Sequence, residues 1–250
     1  RVMRLRQLAP ATAGGELVVS RDKQQDGTLE LTDANEAAGR EIAERLDGIP
    51  LAIELAAARI RLMTPEELVG GLDDRFRLLG GSGQRNGRDA LRETVQWSYQ
   101  MLSPQEAAVF IRMSVFAGGA SLPMIAAVCT GDAAVGPDDI PDVVLGLVDK
   151  SMVVSSVENG VRRFSLLETM RSFGDEELAA ANMRSTYRRR HTDQMLALAH
   201  RENDRLFTPA EPDAWRVLDQ EWDNLRVAFD SYQDGQNADD QDADASAELV

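Results

Sequence analysis

The sequence contains little cysteine, few aromatic residues and no long apolar run. Its single cysteine, Cys129, excludes an internal disulfide bond and fits a reducing compartment, so we expect a cytoplasmic protein. Aromatic residues make up 5% of the chain, whereas alanine, leucine, glutamate and arginine are abundant, which favours helices. No apolar run approaches the roughly 20 residues that a membrane-spanning helix needs, and we expect no association with a membrane.

Positive charge is also scarce. The chain has 27 Lys and Arg residues against 42 Asp and Glu residues, which gives a formal net charge of −15 at pH 7. Such an acidic protein is repelled by nucleic acid unless a local basic surface overrides the overall field. The basic run at residues 188–190, followed by His191, points in several directions around a predicted helix. We therefore interpret this run as a solvated face.

Catalytic and metal-binding patterns are missing as well. The glycine-rich residues 80–87 lack the Gly-Lys-Ser/Thr ending that holds nucleotide phosphates, and no predicted strand precedes them, so we interpret them as a linker. His191 and His200 are nine residues apart, which is not the spacing of two metal ligands on a helix. We predict no catalytic residue and no metal site, and the sequence leaves open whether the protein is an enzyme.

Residues 45–60 organise the chain and predict a helix, a tight corner and a second helix. Gly48 suits the left-handed position just beyond a helix C-terminus, because it has no Cβ to clash there. Pro50 suits the first turn of the next helix, where a missing backbone N–H costs nothing. From residue 51 to residue 60 only Glu54 and Arg59 are charged, so we expect this helix to be buried on nearly every face.

Capping signals and hydrophobic periodicity predict more helices in the first half. A helix is expected at residues 32–47, and Thr64 begins another that ends near residue 79. After the linker, residues 91–102 predict a helix, and Ser103 begins the next one. Four side chains lie at apolar helical positions and are expected to be buried packing residues: Cys129, Trp97, Trp215 and Trp222.

The second half adds a predicted hairpin to further helices. Residues 140–149 predict a short helix, and Glu158-Asn159-Gly160 is a typical turn between two strands. A helix follows at about residues 167–181, so that helices and hairpin together predict a winged helix. Two amphipathic helices are then expected at 186–206 and 209–231.

Three stretches resemble the STAND regulatory ATPases, which include the NB-ARC proteins and the bacterial LuxR-type and AfsR-type regulators. Residues 48–57, with the sequence GIPLAIELAA, are similar to the GLPL segment of that family. Residues 94–122 resemble the start of its winged-helix domain, and LVDKSMVV at 147–154 with RRFSLLETMRSFG at 162–174 resembles the end. Together these stretches cover roughly residues 34–182.

The resemblance implies a nucleotide site. The GLPL segment of the family lies behind the nucleotide and its proline packs near the adenine, which implies that Gly48, Ile49, Pro50 and Leu51 contact ATP or ADP. The phosphates would be held by a P-loop domain upstream of this chain. In many relatives the histidine of a Met-His-Asp motif touches the ADP β-phosphate. Leu167 occupies that position here and cannot donate a hydrogen bond.

The expected fold is mainly α, with a small helical domain, a winged helix with a hairpin wing, and the start of a TPR-like helical repeat. The expected parts are, in order, a poorly matched remnant of a nucleotide-binding domain, the GLPL-containing helical domain, a linker, the winged helix, the repeat entrance and an acidic disordered tail. Their boundaries are 1–31, 32–79, 80–88, 89–182, 183–233 and 234–250.

The leading hypothesis is a regulatory module of a STAND-type ATPase and LuxR-family transcriptional regulator. It would close over ATP or ADP against an upstream nucleotide-binding domain and act as a conformational switch in signal transduction. One alternative is a degenerate, non-catalytic module that binds another protein. The other is a winged-helix factor that contacts DNA through Arg162 and Arg163.

Charge argues against direct DNA binding by this chain. Residues 89–181 contain six Lys and Arg against thirteen Asp and Glu, a net charge of −7. A helix that enters a DNA groove needs basic side chains near the phosphates. Here acidic residues flank or occupy the helix that would read DNA: Asp138, Asp139, Asp142 and Asp149.

Overall fold

The computed structural model describes residues 37–38, 40–42, 46, 50–58, 64, 67–70, 87–131 and 134–233. The predictions for residues 1–31, for Gly48 and Ile49, for most of the linker and for the tail at 234–250 lie outside these residues. In the described part the fold is mainly helical with one two-stranded antiparallel sheet, so the predicted fold class is confirmed. Among the described residues, none of the helices has both the length and the apolar character needed to cross a membrane.

The chain divides into two compact units. The first comprises Arg1–Leu102 and Asp149–Met152, and the second comprises Ser103–Val148 and Val153–Val250. The boundary therefore falls immediately before the helix that begins at Pro104.

The first unit is a small helical core. Its described helices include α1 (Pro50–Ala57) and α2 (Gly87–Gln100), which pack against each other. Thr64 begins a further helical turn, as predicted. It caps the turn reciprocally with Glu67: the Glu67 carboxylate accepts from the Thr64 N–H at 2.8 Å, and Thr64 Oγ1 accepts from the Glu67 N–H at 3.2 Å. The buried apolar side chains form one cluster: Ile42, Leu46, Ala52, Ile53, Ala56, Leu68 and Trp97.

The second unit begins with a winged-helix-like arrangement. Ser103 caps the first helix through a capping box, because its N–H donates to the Glu106 carboxylate at 2.7 Å and its Oγ accepts from the Glu106 N–H at 3.2 Å. In chain order the elements are α3 (Pro104–Met113), α4 (Leu122–Cys129), α5 (Ile140–Asp149, of which Asp149 belongs to the first unit), β1 (Val154–Glu158), β2 (Val161–Ser165) and α6 (Glu168–Ala180).

The hairpin formed by β1 and β2, which we name the wing, turns at the predicted residues. Asn159 and Gly160 both have positive φ, 51° and 79°, as a two-residue turn that matches the strand twist requires. Ala120 extends the wing by one bridge, since Ala120 and Phe164 exchange two backbone hydrogen bonds of 2.9 Å each.

Three helices follow the winged helix in the described residues. They are α7 (Arg184–Asn203), α8 (Glu211–Gln220) and α9 (residues 222–233). The sequence predicts a single helix at 209–231, whereas the structure interrupts it at Glu221, whose φ of −98° and ψ of 9° are not helical. The interruption accompanies a buried ion pair that the Glu221 side chain makes with the wing, described below.

The burial of the tryptophans differs from the prediction at two positions. Trp97 is buried in the first unit, as predicted. Trp215 on α8 and Trp222 on α9 are 56% and 65% exposed, so the prediction of packing is wrong for both. Both helices are amphipathic, but no other described element covers the face that carries these side chains.

Candidate functional site

Of the four residues predicted to contact a nucleotide, the structure describes Pro50 and Leu51. Pro50 is the first residue of α1 and Leu51 the second, so proline does occupy the first turn, where its missing N–H breaks no hydrogen bond. Gly48 and Ile49 lie outside the described residues. The contact of these four residues with ATP or ADP stays a prediction.

Leu167, at the position of the family's phosphate-contacting histidine, is the N-cap residue of α6 and is exposed. The next residue, Glu168, accepts two hydrogen bonds from the Arg171 guanidinium at 2.8 and 2.9 Å. These bonds hold the pKa of the Glu168 carboxyl below its usual range. Leucine followed by a paired carboxylate offers no donor to a phosphate group here.

The helix α5, which corresponds to the DNA-reading helix of other winged helices, presents an acidic face. Asp142, Leu145 and Asp149 are exposed on one side of it at spacings of three and four residues. The preceding turn adds the exposed residues Asp138 and Asp139. A surface of this kind repels phosphates, whereas a groove-reading helix depends on Lys and Arg.

The two arginines of the wing have different surroundings. Arg162 is exposed and donates to Ser155 Oγ at 2.9 Å. Arg163 is only 2% exposed and cannot reach a phosphate in this arrangement. The hypothesis that both side chains contact DNA is therefore wrong for Arg163.

Arg163 is held in a buried polar cluster. Both terminal nitrogens of its guanidinium group donate to the Glu221 carboxylate. Nη2 lies 3.1 Å from Oε2, and Nη1 donates to Oε1. Nη2 also donates to the carbonyl oxygens of Gly119 at 2.9 Å and Gly118 at 3.2 Å. Glu221 is 7% exposed, so a bidentate ion pair, the stronger form of this interaction, lies almost entirely out of water.

Asn224 completes the cluster from α9. Its Nδ2 donates to the Gly119 carbonyl oxygen at 2.8 Å and to Glu221 Oε2 at 2.7 Å. Its Oδ1 accepts from the Ala117 N–H at 2.9 Å. We name Arg163, Glu221, Asn224 and the backbone of residues 117–119 the polar joint. It connects the wing and the loop after α3 with the break between α8 and α9.

The alternation of side chains along β2 explains why an arginine is buried in the wing. Neighbouring residues of a strand point to opposite faces, yet Arg163 and Phe164 are both buried. The backbone of Phe164 pairs with Ala120 along the edge of β2. Arg163 points to the face that carries Glu221 and Asn224, so the Phe164 side chain points to the opposite face. The C-terminal helices therefore cover one side of the wing.

A buried histidine lies next to the polar joint. The ring of His191, on α7, contacts the Phe116 ring edge to face at 5.2 Å. Burial lowers the pKa of His191 to about 4, and the nearby Asn224 side chain and Glu221 carboxylate only partly oppose this shift. His191 Nε2 has no hydrogen-bond partner within the described part of the chain. The imidazole is therefore neutral at physiological pH.

The helix α7 is fixed to α3 and α4 by two arginines. The guanidinium groups of Arg112 and Arg190 each lie over the Tyr187 ring, 5.0 Å from its centroid. Arg112 donates to the Cys129 carbonyl oxygen at 2.8 Å, and Arg190 donates to that of Thr130. Cys129 is a core residue, as predicted, and burial raises the pKa of its thiol to about 12.

These contacts correct the interpretation of the basic run on α7. Arg188 and Arg189 are exposed, as a solvated face requires, but Arg190 is half-buried and His191 is buried. The prediction is therefore right for the first two residues and wrong for the last two, because the last two face α4 and the polar joint.

An apolar groove of about 390 Å³ runs between α7 and α9. Three exposed aromatic side chains contribute to it, Trp222, Phe229 and Tyr232. Its other lining residues are mainly apolar: Met195, Leu196, Ala199, Leu225, Arg226 and Ala228.

Sequence reasoning missed the polar joint. Arg163 and Glu221 are 58 positions apart, and nothing in a local pattern connects them. One signal was present, since Glu221 and Asn224 fall on the inner side of an otherwise apolar helical repeat. A carboxylate and an amide on that side require a buried partner.

Comparison with known proteins finds similar proteins that are described as transcriptional regulators. No protein-family model matches the chain. The chain is 40% identical over 219 residues to a Mycobacterium bovis protein described as "Putative HTH-type transcriptional regulator", and the same values hold for a counterpart in Mycobacterium tuberculosis H37Rv. An uncharacterised M. bovis protein is 38% identical over 166 residues, which is 66% of this chain and 42% of that protein.

The aligned segment in the regulators is 86% of this chain but only 24% of their length. The chain thus spans about a quarter of the regulators and less than half of the uncharacterised relative. It is similar to one segment of larger bacterial proteins, two of which are described as transcriptional regulators.

Proposed function

We propose that this chain is the regulatory segment of a cytoplasmic STAND-type ATPase of the LuxR/AfsR kind, a transcriptional regulator in which the winged helix acts as a switch. Two independent findings support the proposal. Residues 34–182 resemble that family in the sequences of their motifs and in the order of these motifs along the chain. In addition, 86% of the chain aligns with proteins described as HTH-type transcriptional regulators.

The acidic face of α5 is the structural observation that favours a switching role over a DNA-reading role for the winged helix. A winged helix that read DNA would place this face against phosphates, yet its exposed charges are Asp138, Asp139, Asp142 and Asp149. In the proposal this winged helix packs against other domains and changes its arrangement with the bound nucleotide. DNA is contacted by another part of the regulator.

The proposed switch works through nucleotide-dependent packing. ATP or ADP would be held by a P-loop domain upstream, with residues 48–51 closing over the adenine. The bound nucleotide then favours one arrangement of the winged helix, and its hydrolysis or exchange favours another. Since Leu167 offers no hydrogen bond to a β-phosphate, the proposed coupling depends on the adenine side rather than on this position. The TPR-like repeat would begin at α7.

The test substitutes Pro50 in the protein that joins this chain to its P-loop domain. Pro50→Asp should release a fluorescent ADP analogue about tenfold faster or more, because it replaces an apolar ring by a charge beside the adenine. Aspartate is tolerated in the first turn of a helix, so α1 should persist. The matched control is Pro104→Asp, which alters the equivalent position of α3 and should leave release unchanged.

The same experiment separates the proposal from a binding module without nucleotide. Equal release rates for the wild type, Pro50→Asp and Pro104→Asp would remove the role of Pro50. A purified protein that binds no adenine nucleotide at all would favour the non-catalytic module instead.

A further inference from the structure

The helices α8 and α9 are attached to the rest of the second unit with little apolar burial. Their fully buried apolar side chains are Ala214 and Ala228. Their large aromatic side chains point outward, including Trp215, Trp222 and Phe229. Val217, Leu218, Leu225 and Val227 are half-buried, so the hydrophobic free energy that opposes separation of the two helices comes from partial burial and is smaller than for a fully buried face.

The preceding helix is attached very differently. On α7 the side chains of Tyr187, Met195 and Leu198 are buried, and the Tyr187 ring contacts two guanidinium groups. Residues 184–203 are thus fixed to α3 and α4 by large side chains. The contrast shows that α7 is held to α3 and α4 by larger buried side chains than α8 and α9 have, although α7 and α8 also pack against each other.

The polar joint supplies the specific attachment that the apolar contacts lack. Glu221 and Asn224 belong to the C-terminal segment, and Arg163 with the carbonyl groups of Gly118 and Gly119 belongs to the winged helix. Moving the segment away would break these bonds together. The separated groups would then be hydrated, which lowers the cost of opening compared with exposing an apolar core.

A buried ion pair of this kind is not a strong source of stability. Removing two charges from water costs about as much as their attraction returns, whereas leaving one charge without its partner is highly unfavourable. The ion pair therefore forms only when α8 and α9 are packed on the wing. When they separate, water can hydrogen-bond to both charged groups instead. These are the properties of a reversible attachment.

We propose that the polar joint is a latch, and that α8 and α9 open from the winged helix as one unit while α3 to α6 stay folded. Opening hydrates Arg163 and Glu221 and frees one face of the wing. This inference concerns the 250-residue chain by itself and does not depend on nucleotide binding or on the proposed family.

Hydrogen–deuterium exchange with peptide resolution tests the latch in the intact 250-residue chain. Glu221→Gln keeps the size of the side chain but removes its charge, so exchange in residues 211–233 should accelerate about 10- to 100-fold, the range expected for losing hydrogen bonds to a charged group. Exchange in residues 104–180 should stay within about twofold of the wild type.

The matched control is Glu202→Gln. Glu202 is also a buried carboxylate paired with arginine, but its partners Arg201 and Arg205 are its neighbours in the chain, at 2.9 and 2.5 Å. This variant removes a buried charge without touching the polar joint. It should leave exchange in residues 222–233 unchanged.

The double variant Arg163→Met/Glu221→Met provides a second readout. Apolar side chains in place of a buried ion pair commonly preserve or increase stability, so residues 211–233 should again exchange as slowly as in the wild type or more slowly. A structural defect caused by Glu221→Gln elsewhere would not be repaired in this way.

Two results would overturn the latch. In one, Glu221→Gln accelerates exchange equally in residues 104–180 and 211–233, which means that the unit unfolds as a whole. In the other, exchange in residues 211–233 does not change in Glu221→Gln, which means that the polar joint does not hold these helices.

Discussion

Gly119 is a position where the second unit has no room for a side chain. Its φ is 73°, and a Cβ atom would lie 2.8 Å from the Phe164 carbonyl oxygen and 2.9 Å from Ser165 Cβ. The backbone must approach β2 this closely because Ala120 bridges to Phe164 and the Gly119 carbonyl accepts from Arg163. Glycine is required here for both its conformation and its size.

Gly119→Ala should lower the free energy of unfolding by roughly 2–4 kcal/mol, from backbone strain and from displacement of the wing. Gly160→Ala is the control, since Gly160 has a similar φ of 79° but open space around it, and it should cost only about 1 kcal/mol. Urea denaturation of both variants measures the difference. Equal losses would show that the contact with β2 is unimportant.

His191 should make the free energy of unfolding depend on pH under acidic conditions. Its pKa is lowered to about 4 in the folded protein, against an ordinary value near 6.5. Below about pH 6.5 the unfolded chain therefore binds a proton that the folded chain does not. Stability falls as the pH decreases from about 6.5 to about 4, and this group contributes no change at higher pH.

His191→Gln should remove this part of the acid sensitivity, which amounts to at most roughly 3 kcal/mol. The measurement is the free energy of urea unfolding at pH 7.5 and pH 4.5 for the wild type and the variant. His200→Gln, at an exposed site, is the control and should keep the wild-type difference. A variant with the same pH difference as the wild type would contradict the assignment to His191.

At the scale of elements, the exposed charges of α5 and of the wing are the features of the second unit that bear on DNA binding. The exposed face of α5 is acidic, and of the two wing arginines only Arg162 is exposed. Electrostatic attraction to the DNA backbone, which provides most non-specific affinity, is therefore missing at the surface where a winged helix would use it.

The 250-residue chain should show no binding to double-stranded DNA in a fluorescence anisotropy titration, even at about 50 mM salt, where basic proteins bind strongly. A variant with Asp138, Asp139 and Asp142 changed to lysine should bind weakly and lose affinity steeply with added salt. Salt-sensitive, sequence-preferring binding by the wild type would contradict the acidic-face argument and restore the DNA-binding alternative.

The elements that sequence analysis predicted correctly are those whose signals are local. The capping box at Ser103 and Glu106 needs only four consecutive residues, and the turn at Asn159 and Gly160 needs two residues that accept positive φ. Periodicity also gave the bounds of α5 correctly, because Val143, Val144 and Leu147 all face the core.

The features that were missed depend on distant partners. Periodicity cannot predict the break at Glu221, because the apolar pattern continues from α8 into α9, and the ion pair with Arg163 that accompanies the break joins residues far apart in the chain. Apolar spacing likewise shows that Trp222 lies on one face of a helix, but not whether another element covers that face. The Pro50 corner was predicted as a helix start, whereas its nucleotide role came from resemblance alone.

At the scale of the whole molecule, the chain has a first, helical unit and a second unit that contains a winged-helix-like part and C-terminal helices. The described structure explains how the last two are attached, through the polar joint and through the contacts of Tyr187 with Arg112 and Arg190. The similarity of 86% of the chain to about a quarter of larger regulators suits a segment that acts together with other domains. In the proposed function, this arrangement would respond to a nucleotide held by another domain.

The most direct test is the intact mass and nucleotide content of the protein purified from its native source. We expect a mass well above the 27.4 kDa of this chain, peptides with a Gly-Lys-Ser/Thr loop, and about one ATP or ADP released per molecule on denaturation. A protein of 27.4 kDa without bound adenine nucleotide would contradict the proposed switch and favour a non-catalytic binding module.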